Sequence, residues 1–229
     1  MRWGIVTFPG SLDDADALHA LREVMGQDAV PLWHKDESLR GARCVVLPGG
    51  FSYGDYLRCG AIARFSPIMK SVIKFAGEGG LVLGICNGFQ ILCEAHLLPG
   101  ALTRNRSLLF ICERVNLRVE NANTPFTSAC RDGELLRMPI KHGEGAYTAA
   151  ETEIGQMEER GQILLRYTDA AGDPTAAANP NGSLHSIAGV ANERFNVFGL
   201  MPHPEHAVEA MLGGEDGRRI FQSIIESAP

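Results

Sequence analysis

Short apolar runs alternate along this chain with segments in which apolar residues recur at helical spacing. WGIVTF (3–8), RCVVLP (43–48) and LVLGI (81–85) contain almost no polar residues, and AVPLWH (29–34) has a similar character. Continuous apolar runs of this length are typical of parallel strands that are covered on both faces. The pattern therefore predicts four strands of a mostly parallel sheet within the first 90 residues.

The amphipathic segments between these runs predict helices. Ser11, Asp13 or Asp14 is expected to cap the first helix, because short polar side chains satisfy the free N–H groups of a first turn. Ser66 followed by Pro67 predicts the start of the second helix, since serine is favoured at the N-cap and proline at the first helical position. Further helices are predicted over 89–98 and from about 215.

The middle of the chain has a different pattern. RVNLRVE (114–120) alternates like an antiparallel strand, and RMPIKHGEG (137–145) joins a short strand to a glycine-rich loop. The segment 169–183 is rich in turn residues and predicts a surface loop or hairpin. Strands are again predicted at IAGVAN and NVFGLMP. The order predicts an α/β fold in a single domain, 1–229, with a doubly wound, mostly parallel sheet flanked by helices and a small antiparallel extension.

Composition and charge narrow the function classes. The 229 residues are 45% hydrophobic and 21% charged, as is usual for soluble globular proteins. The formal net charge of −6 comes without a run of like charges, so binding to nucleic acid or to an anionic membrane is not expected. The N-terminus lacks a signal-peptide pattern, which predicts a cytoplasmic protein. The six cysteines have no zinc-site spacing, and most are expected to be free, buried and unreactive.

One cysteine has unusual surroundings. Cys86 lies between Gly84 and Gly88, where the predicted strand 81–85 meets a helix. The first N–H groups of a helix have no intrahelical partners and can donate to an oxyanion, while the helix dipole favours a thiolate. Flanking glycines allow close backbone approach, so GxCxG is the cysteine counterpart of the serine nucleophile elbow. Gln90, one turn later, faces either the same pocket or solvent.

A cysteine nucleophile needs a base and a group that orients that base. In MPHPE, Pro202 and Pro204 restrict the residues that precede them to extended conformations. Because residues i and i+2 of an extended segment point the same way, His203 and Glu205 are expected to lie together as base and orienting acid. The alternative is a surface loop in which the side chains of His203 and Glu205 are both solvated. No metal site is predicted at His203 and His206, since no third ligand is evident.

The glycine-rich segment LPGGFSYGD (47–55) follows a predicted strand and offers a second donor for an oxyanion. Loops at the carboxyl ends of strands in an α/β sheet gather on one edge, so this segment and the Cys86 elbow are expected to meet. A phosphate-binding loop is the alternative. The segment lacks the full GxGxxG spacing and the GK[ST] ending of the common phosphate loops.

Taken in order, LPGGFSYGD, GICNGFQILCE, NRS and MPHPE resemble the motifs of the class I glutamine amidotransferases, and LLPGALTRNRS and KHGEG extend the resemblance over essentially the whole chain. The similarity is strongest to the glutaminase subunits of purine biosynthesis. It implies a flavodoxin-like core and hydrolysis of L-glutamine to glutamate and ammonia through a thioester. It implies no cofactor in this chain, but ATP and Mg in a large synthetase partner that aminates formylglycinamide ribonucleotide, together with a small accessory subunit.

The resemblance also assigns roles to individual residues. Cys86 matches the nucleophile, His203 the base and Glu205 the orienting acid. The backbone N–H groups that match the oxyanion hole belong to Gly50, Phe51 and Asn87. The residues that match the glutamine-binding site are Gln90, His142, Gly143 and Glu144, with Asn105 and Ser107 as pocket support.

Two positions depart from the family pattern. Many relatives read GSNCD where this chain has GSLDD (10–14), which places Leu12 and Asp13 at the changed positions. Relatives often carry arginine where this chain has His206. Neither departure is expected to touch the triad, and both are expected to alter the surface that docks the synthetase.

Two other function classes remain open. Cysteine hydrolases and stress proteins resembling DJ-1 and PfpI share the expected fold. They usually carry histidine directly after the nucleophile, where this chain has Asn87. In a non-enzymatic, doubly wound binding module, Cys86 would be a small buried residue and 47–55 would hold a phosphate.

Overall fold

The structure is a computed structural model that describes residues 1–227, and these residues form eleven strands and five α-helices. The strands are β1 (Arg2–Thr7), β2 (Asp28–Trp33), β3 (Cys44–Leu47), β4 (Leu81–Ile85), β5 (Ala101–Thr103), β6 (Ile111–Val119), β7 (Leu135–His142), β8 (Ala146–Thr148), β9 (Ile163–Thr168), β10 (Ile187–Ala191) and β11 (Val197–Leu200). The helices are α1 (Asp14–His19), α2 (Pro67–Gly77), α3 (Asn87–Glu94), α4 (Glu151–Glu159) and α5 (Arg218–Ser227).

Nine strands form one sheet in the order β2-β1-β3-β4-β11-β10-β9-β6-β7. From β2 to β11 all neighbours are parallel, and from β11 to β7 all are antiparallel. Strands β5 and β8 form a separate antiparallel pair. The predicted doubly wound α/β sheet with an antiparallel extension is confirmed, and four strands of the main sheet make up that extension.

The apolar runs explain the middle of the sheet. Every residue of β3 and β11 is buried, and β4 is buried except at its first residue. Helix α3 packs on all three strands, and seven of its eight residues are buried. Burial of both faces is the condition under which a strand has no polar alternation, so these runs occupy the centre.

The sequence pattern did not predict β5, nor β8, α4 and β9 in the segment 143–168. Helix α4 buries only Ile154 and Met157 and carries a glycine between them, so its apolar stripe is narrow. The missed β9 reads ILLRYT, a short run that Arg166 interrupts. The predicted surface loop at 169–183 is confirmed as a segment without strand or helix.

Two predicted caps differ in detail from expectation. Ser66 is the N-cap of α2 and Pro67 its first residue, but the Ser66 hydroxyl bonds to the Tyr53 hydroxyl at 2.8 Å rather than to the helix. Asp13 is the N-cap of α1, yet its side chain makes no capping hydrogen bond. Helix α3 ends before the predicted residue 98, because His96 has a left-handed φ of 57°.

The six cysteines are free, and four of them are buried, as expected, whereas Cys59 is half-buried and Cys112 is exposed. Within residues 1–227, the longest apolar helices fall short of what a membrane crossing requires. The predicted domain 1–229 extends two residues past the described part of the chain.

Candidate active site

Cys86 lies in a sharp turn between β4 and α3. Its φ and ψ are 50° and −105°, a conformation that side-chain-bearing residues rarely adopt, and its N–H donates to the Leu200 carbonyl at 2.8 Å. A Cβ on Gly88 would lie 1.9 Å from the carbonyl oxygen of Leu47, and one on Gly84 would lie 2.8 Å from the backbone of Gly88. The prediction that close backbone approach requires both glycines is therefore confirmed.

Replacing Gly88 by alanine is expected to lower the free energy of unfolding by roughly 3 kcal/mol, because the added methyl group would overlap a strand carbonyl that cannot rotate away. Urea denaturation followed by circular dichroism measures the loss. Gly155→Ala is the matched control, since nothing lies within 4 Å of the added Cβ and alanine favours the helix. Equal stability of the two variants would contradict the close approach at Gly88.

His203 and Glu205 form a buried pair beside the elbow. Nδ1 of His203 lies 2.6 Å from Oε1 of Glu205, and both side chains are fully buried. The other ring nitrogen, Nε2, makes no hydrogen bond to any described residue, which leaves it available for proton exchange with Cys86. Burial works to lower the pKa of His203, but the charges of Glu205 and Cys86 outweigh it and raise that pKa to about 10.

The pair forms by a different local geometry from the one predicted. His203 is extended, with φ −105° and ψ 94°, but residues 204–206 form a 3₁₀ turn that brings Glu205 back under the ring. The extended i, i+2 argument is therefore wrong for Glu205, although the contact it predicted is present. The His203 N–H donates to the Pro139 carbonyl at 2.9 Å, which ties the base to the antiparallel half of the sheet.

The segment 47–55 lies beside the elbow, as expected from its place after β3. The Phe51 N–H donates to the Gly10 carbonyl at 2.8 Å and is therefore not free to bind an oxyanion in this conformation. In contrast, the N–H groups of Gly50 and Asn87 donate to no atom of the described residues. Of the three N–H groups predicted for the oxyanion hole, those of Gly50 and Asn87 are therefore free to donate.

A chain of side-chain hydrogen bonds joins two loops around the cysteine through helix α3. The Ser52 N–H donates to Oδ1 of Asn87 at 3.1 Å, and Nδ2 of Asn87 donates to Oε1 of Gln90 at 2.8 Å. Nε2 of Gln90 in turn donates to the Glu144 carbonyl at 2.5 Å. Gln90 thus points into the site and is buried, and the reading of a solvated helix glutamine is wrong.

Asn105 holds the loop that contains the predicted glutamine-binding residues. Its amide nitrogen donates to the His142 carbonyl at 2.8 Å, its backbone N–H donates to the Gly143 carbonyl at 2.9 Å, and its Oδ1 accepts from the Gly145 N–H at 3.0 Å. The ring of His142 is buried, and burial lowers its pKa to about 4. Asn105 therefore holds both ends of this loop by hydrogen bonds, and the imidazole of His142 is uncharged at neutral pH.

The two family departures lie next to the triad, so the expectation that neither touches it is wrong. Oδ2 of Asp13 is 3.7 Å from Nδ1 of His203, and Nε2 of His206 is 3.2 Å from Oδ1 of Asp13. Sequence separation concealed this cluster, because Asp13 and His206 are 193 residues apart.

Asp13, His203, Glu205 and His206 also have ligand atoms within 4.8 Å of one another. Lys141 forms an ion pair with Asp13 inside this cluster. The Lys141 ammonium would lie beside a cation bound at Asp13 and repel it, so the donor set fits a proton-transfer site better than a metal site.

Comparison with known proteins shows the family to which this chain belongs. The profile of one family, described as a CobB/CobQ-like glutamine amidotransferase domain, matches residues 1–214. A protein of Salinibacter ruber called phosphoribosylformylglycinamidine synthase subunit PurQ is 58% identical over 98% of this chain and 95% of its own. The subunit of that name from Moorella thermoacetica is 55% identical over 99% and 96%. A chain in the structure of PurLQS from Thermotoga maritima has a TM-score of 0.87 and 47% identity, over 98% of this chain and 97% of its own.

Proposed function

This chain belongs to the family of CobB/CobQ-like glutamine amidotransferase domains, and from that premise we propose that it is the glutaminase subunit of a phosphoribosylformylglycinamidine synthase in purine biosynthesis. The observation that carries the proposal is the buried His203–Glu205 pair beside a cysteine elbow. The whole chain, 1–229, acts as one amidotransferase domain. Relatives that share the name subunit PurQ support the choice among amidotransferases.

In the first half of the reaction, the Cys86 thiolate attacks the side-chain amide carbon of L-glutamine. The N–H groups of Asn87 and Gly50 donate to the oxyanion that develops, and losing one such donor typically costs about 10²–10³ in rate. Nε2 of protonated His203 gives its proton to the leaving nitrogen, so that ammonia departs and a γ-glutamyl thioester remains.

In the second half, neutral His203 accepts a proton from water at Nε2, and the resulting hydroxide attacks the thioester carbon. Glutamate leaves, and Cys86 is restored as a thiolate beside protonated His203. Glu205 holds Nδ1 throughout, which keeps Nε2 directed toward the sulfur. Gln90, His142, Gly143 and Glu144 shape the wall of the glutamine pocket.

The ammonia is used by a partner. We propose a large synthetase subunit, which binds ATP and Mg and aminates formylglycinamide ribonucleotide, and a small accessory subunit of the same cytoplasmic complex. The relative from Thermotoga maritima was solved as part of PurLQS, which supports an assembly of this kind. Exposed apolar side chains near the site, including Phe51, Leu108 and Phe110, give the partner a surface to cover.

The test is to measure glutamate release by the chain alone and with its synthetase present. We expect slow hydrolysis alone, faster hydrolysis in the complex, and synthetase activity that free ammonia supports without this chain. A single adduct of 6-diazo-5-oxonorleucine on Cys86, located by mass spectrometry, identifies the nucleophile. An absence of adduct and of glutamate release in the presence of the partner would favour a non-enzymatic binding module.

A further inference from the structure

We propose that Asp13 is a positioning residue for the catalytic base, a second carboxylate that faces Nδ1 of His203 beside Glu205 and keeps the imidazole protonated until ammonia leaves. The inference rests on the proposed function only in naming His203 as the base. Asp13 is the N-cap of α1, outside the elbow and the MPHPE segment that supply the triad.

The position of Asp13 is fixed by backbone contacts within the site. The N–H groups of Leu12 and Asp13 both donate to the Gly49 carbonyl at 3.2 Å. A Cβ on Gly49 would lie 2.3 Å from Oδ2 of Asp13 and 2.7 Å from Cε1 of His203. The carboxylate and the imidazole therefore pack against the same glycine, and a larger residue there would push them apart.

The two oxygens of Asp13 have different surroundings. Oδ1 accepts a hydrogen bond from the Lys141 ammonium and lies 3.2 Å from Nε2 of His206. Oδ2 is 3.7 Å from Nδ1 of His203, too far for a hydrogen bond but within the distance of an ion pair. Lys141 and His206 thus hold the carboxylate through Oδ1, while its Oδ2 faces the base.

The burial of Asp13 indicates that its charge has a role. The residue is 2% exposed and, although it is the N-cap of α1, its side chain does not cap the helix. Burial works to raise the pKa of Asp13, but His206, His203 and Lys141 outweigh it and hold that pKa below its usual range. The carboxylate therefore stays ionised where His203 needs it.

Several charged or titratable groups surround His203 in addition to Asp13. They are Glu205 in the same turn, Cys86 at the elbow, His206 at a ring distance of 5.4 Å, and Lys141 and His142 at the end of β7. The two carboxylates stabilise the imidazolium, whereas Lys141 opposes them. Removing Asp13 and removing Lys141 should consequently have opposite effects.

The test is a ¹⁵N-histidine NMR titration of the full chain in a Cys86→Ala background, with His203 assigned by loss of its signal in His203→Gln. We expect Asp13→Asn to move the His203 midpoint down by about one pH unit. Lys141→Gln should move it up, and the double variant should return it toward the starting value. With Cys86 intact, the alkaline limb of kcat/KM for glutamine hydrolysis should move in the same directions.

Asp14→Asn is the matched control, because its carboxylate lies in the same helix and bonds to Thr7 instead of the triad. A folded Asp13→Asn protein whose His203 midpoint does not move, or moves no more than in Asp14→Asn, would overturn the proposal. The titration does not depend on glutamine turnover. A shifted midpoint in a protein without glutaminase activity would therefore reject the proposed function while keeping the role of Asp13.

Discussion

Cys86→Ala is expected to lower the rate of glutamine hydrolysis by at least about 10⁴-fold, because no other group can form the thioester. Cys86 is the N-cap of α3, and the N–H groups that hold the oxyanion belong to the backbone. The variant should therefore keep its fold and its affinity for glutamine. Glutamate release in the presence of the synthetase measures the loss.

Two controls accompany this variant. Cys112→Ala removes an exposed thiol near the start of β6 and should leave hydrolysis unchanged. In the complex, Cys86→Ala should retain synthetase activity with ammonium salts, which separates a lost nucleophile from a broken assembly. Substantial hydrolysis by a folded Cys86→Ala protein would exclude the thioester mechanism.

Glu205→Gln is expected to lower the rate by roughly 10³-fold. The carboxylate of Glu205 contacts Nδ1 of His203 at 2.6 Å, and an amide in its place can hold the ring in the wrong tautomer, an effect worth about 10⁴ in serine proteases. We expect a somewhat smaller loss here, because the carboxylate of Asp13 still faces the same nitrogen at 3.7 Å. Steady-state kinetics should show the loss mainly in kcat.

The pH dependence of the rate of glutamine hydrolysis tests the role of Glu205. Without Glu205, the pKa of His203 should fall from about 10, since the largest stabilising charge is gone, and the alkaline limb of the profile should move to lower pH. Glu209→Gln, which alters a carboxylate that pairs with His19 nearby, should leave the limb in place. A rate within a few-fold of the original would show that Glu205 does not orient the base.

The sequence was informative wherever a residue acts through its neighbours along the chain. The apolar runs predicted β1 to β4, because full burial removes polar alternation, and GxCxG predicted the elbow, because the backbone itself approaches Leu47. The pairing of His203 with Glu205 was also evident from MPHPE. The 3₁₀ turn that produces the contact was not, since proline restricts the residue before it more clearly than the residue after it.

Interactions between distant segments were not predictable in this way. Asp13 was expected to be a helix cap, which is the usual role of aspartate before a helix, but its partners lie at 141, 203 and 206. The hydrogen bond that occupies the Phe51 N–H depends on Gly10, in a loop after a different strand. Helix α4 was missed because its two buried residues give too weak a periodicity.

The order of strands also has a consequence for synthesis of the protein. Strand β11, which the base follows by three residues, lies between β4 and β10, although β4 is made more than a hundred residues earlier. At typical translation rates of about 5–20 residues per second, one edge of β4 stays unpaired for on the order of ten seconds until β11 has been made. An apolar edge without a partner invites pairing with other chains, so this interval is the time when a nascent chain most needs a chaperone.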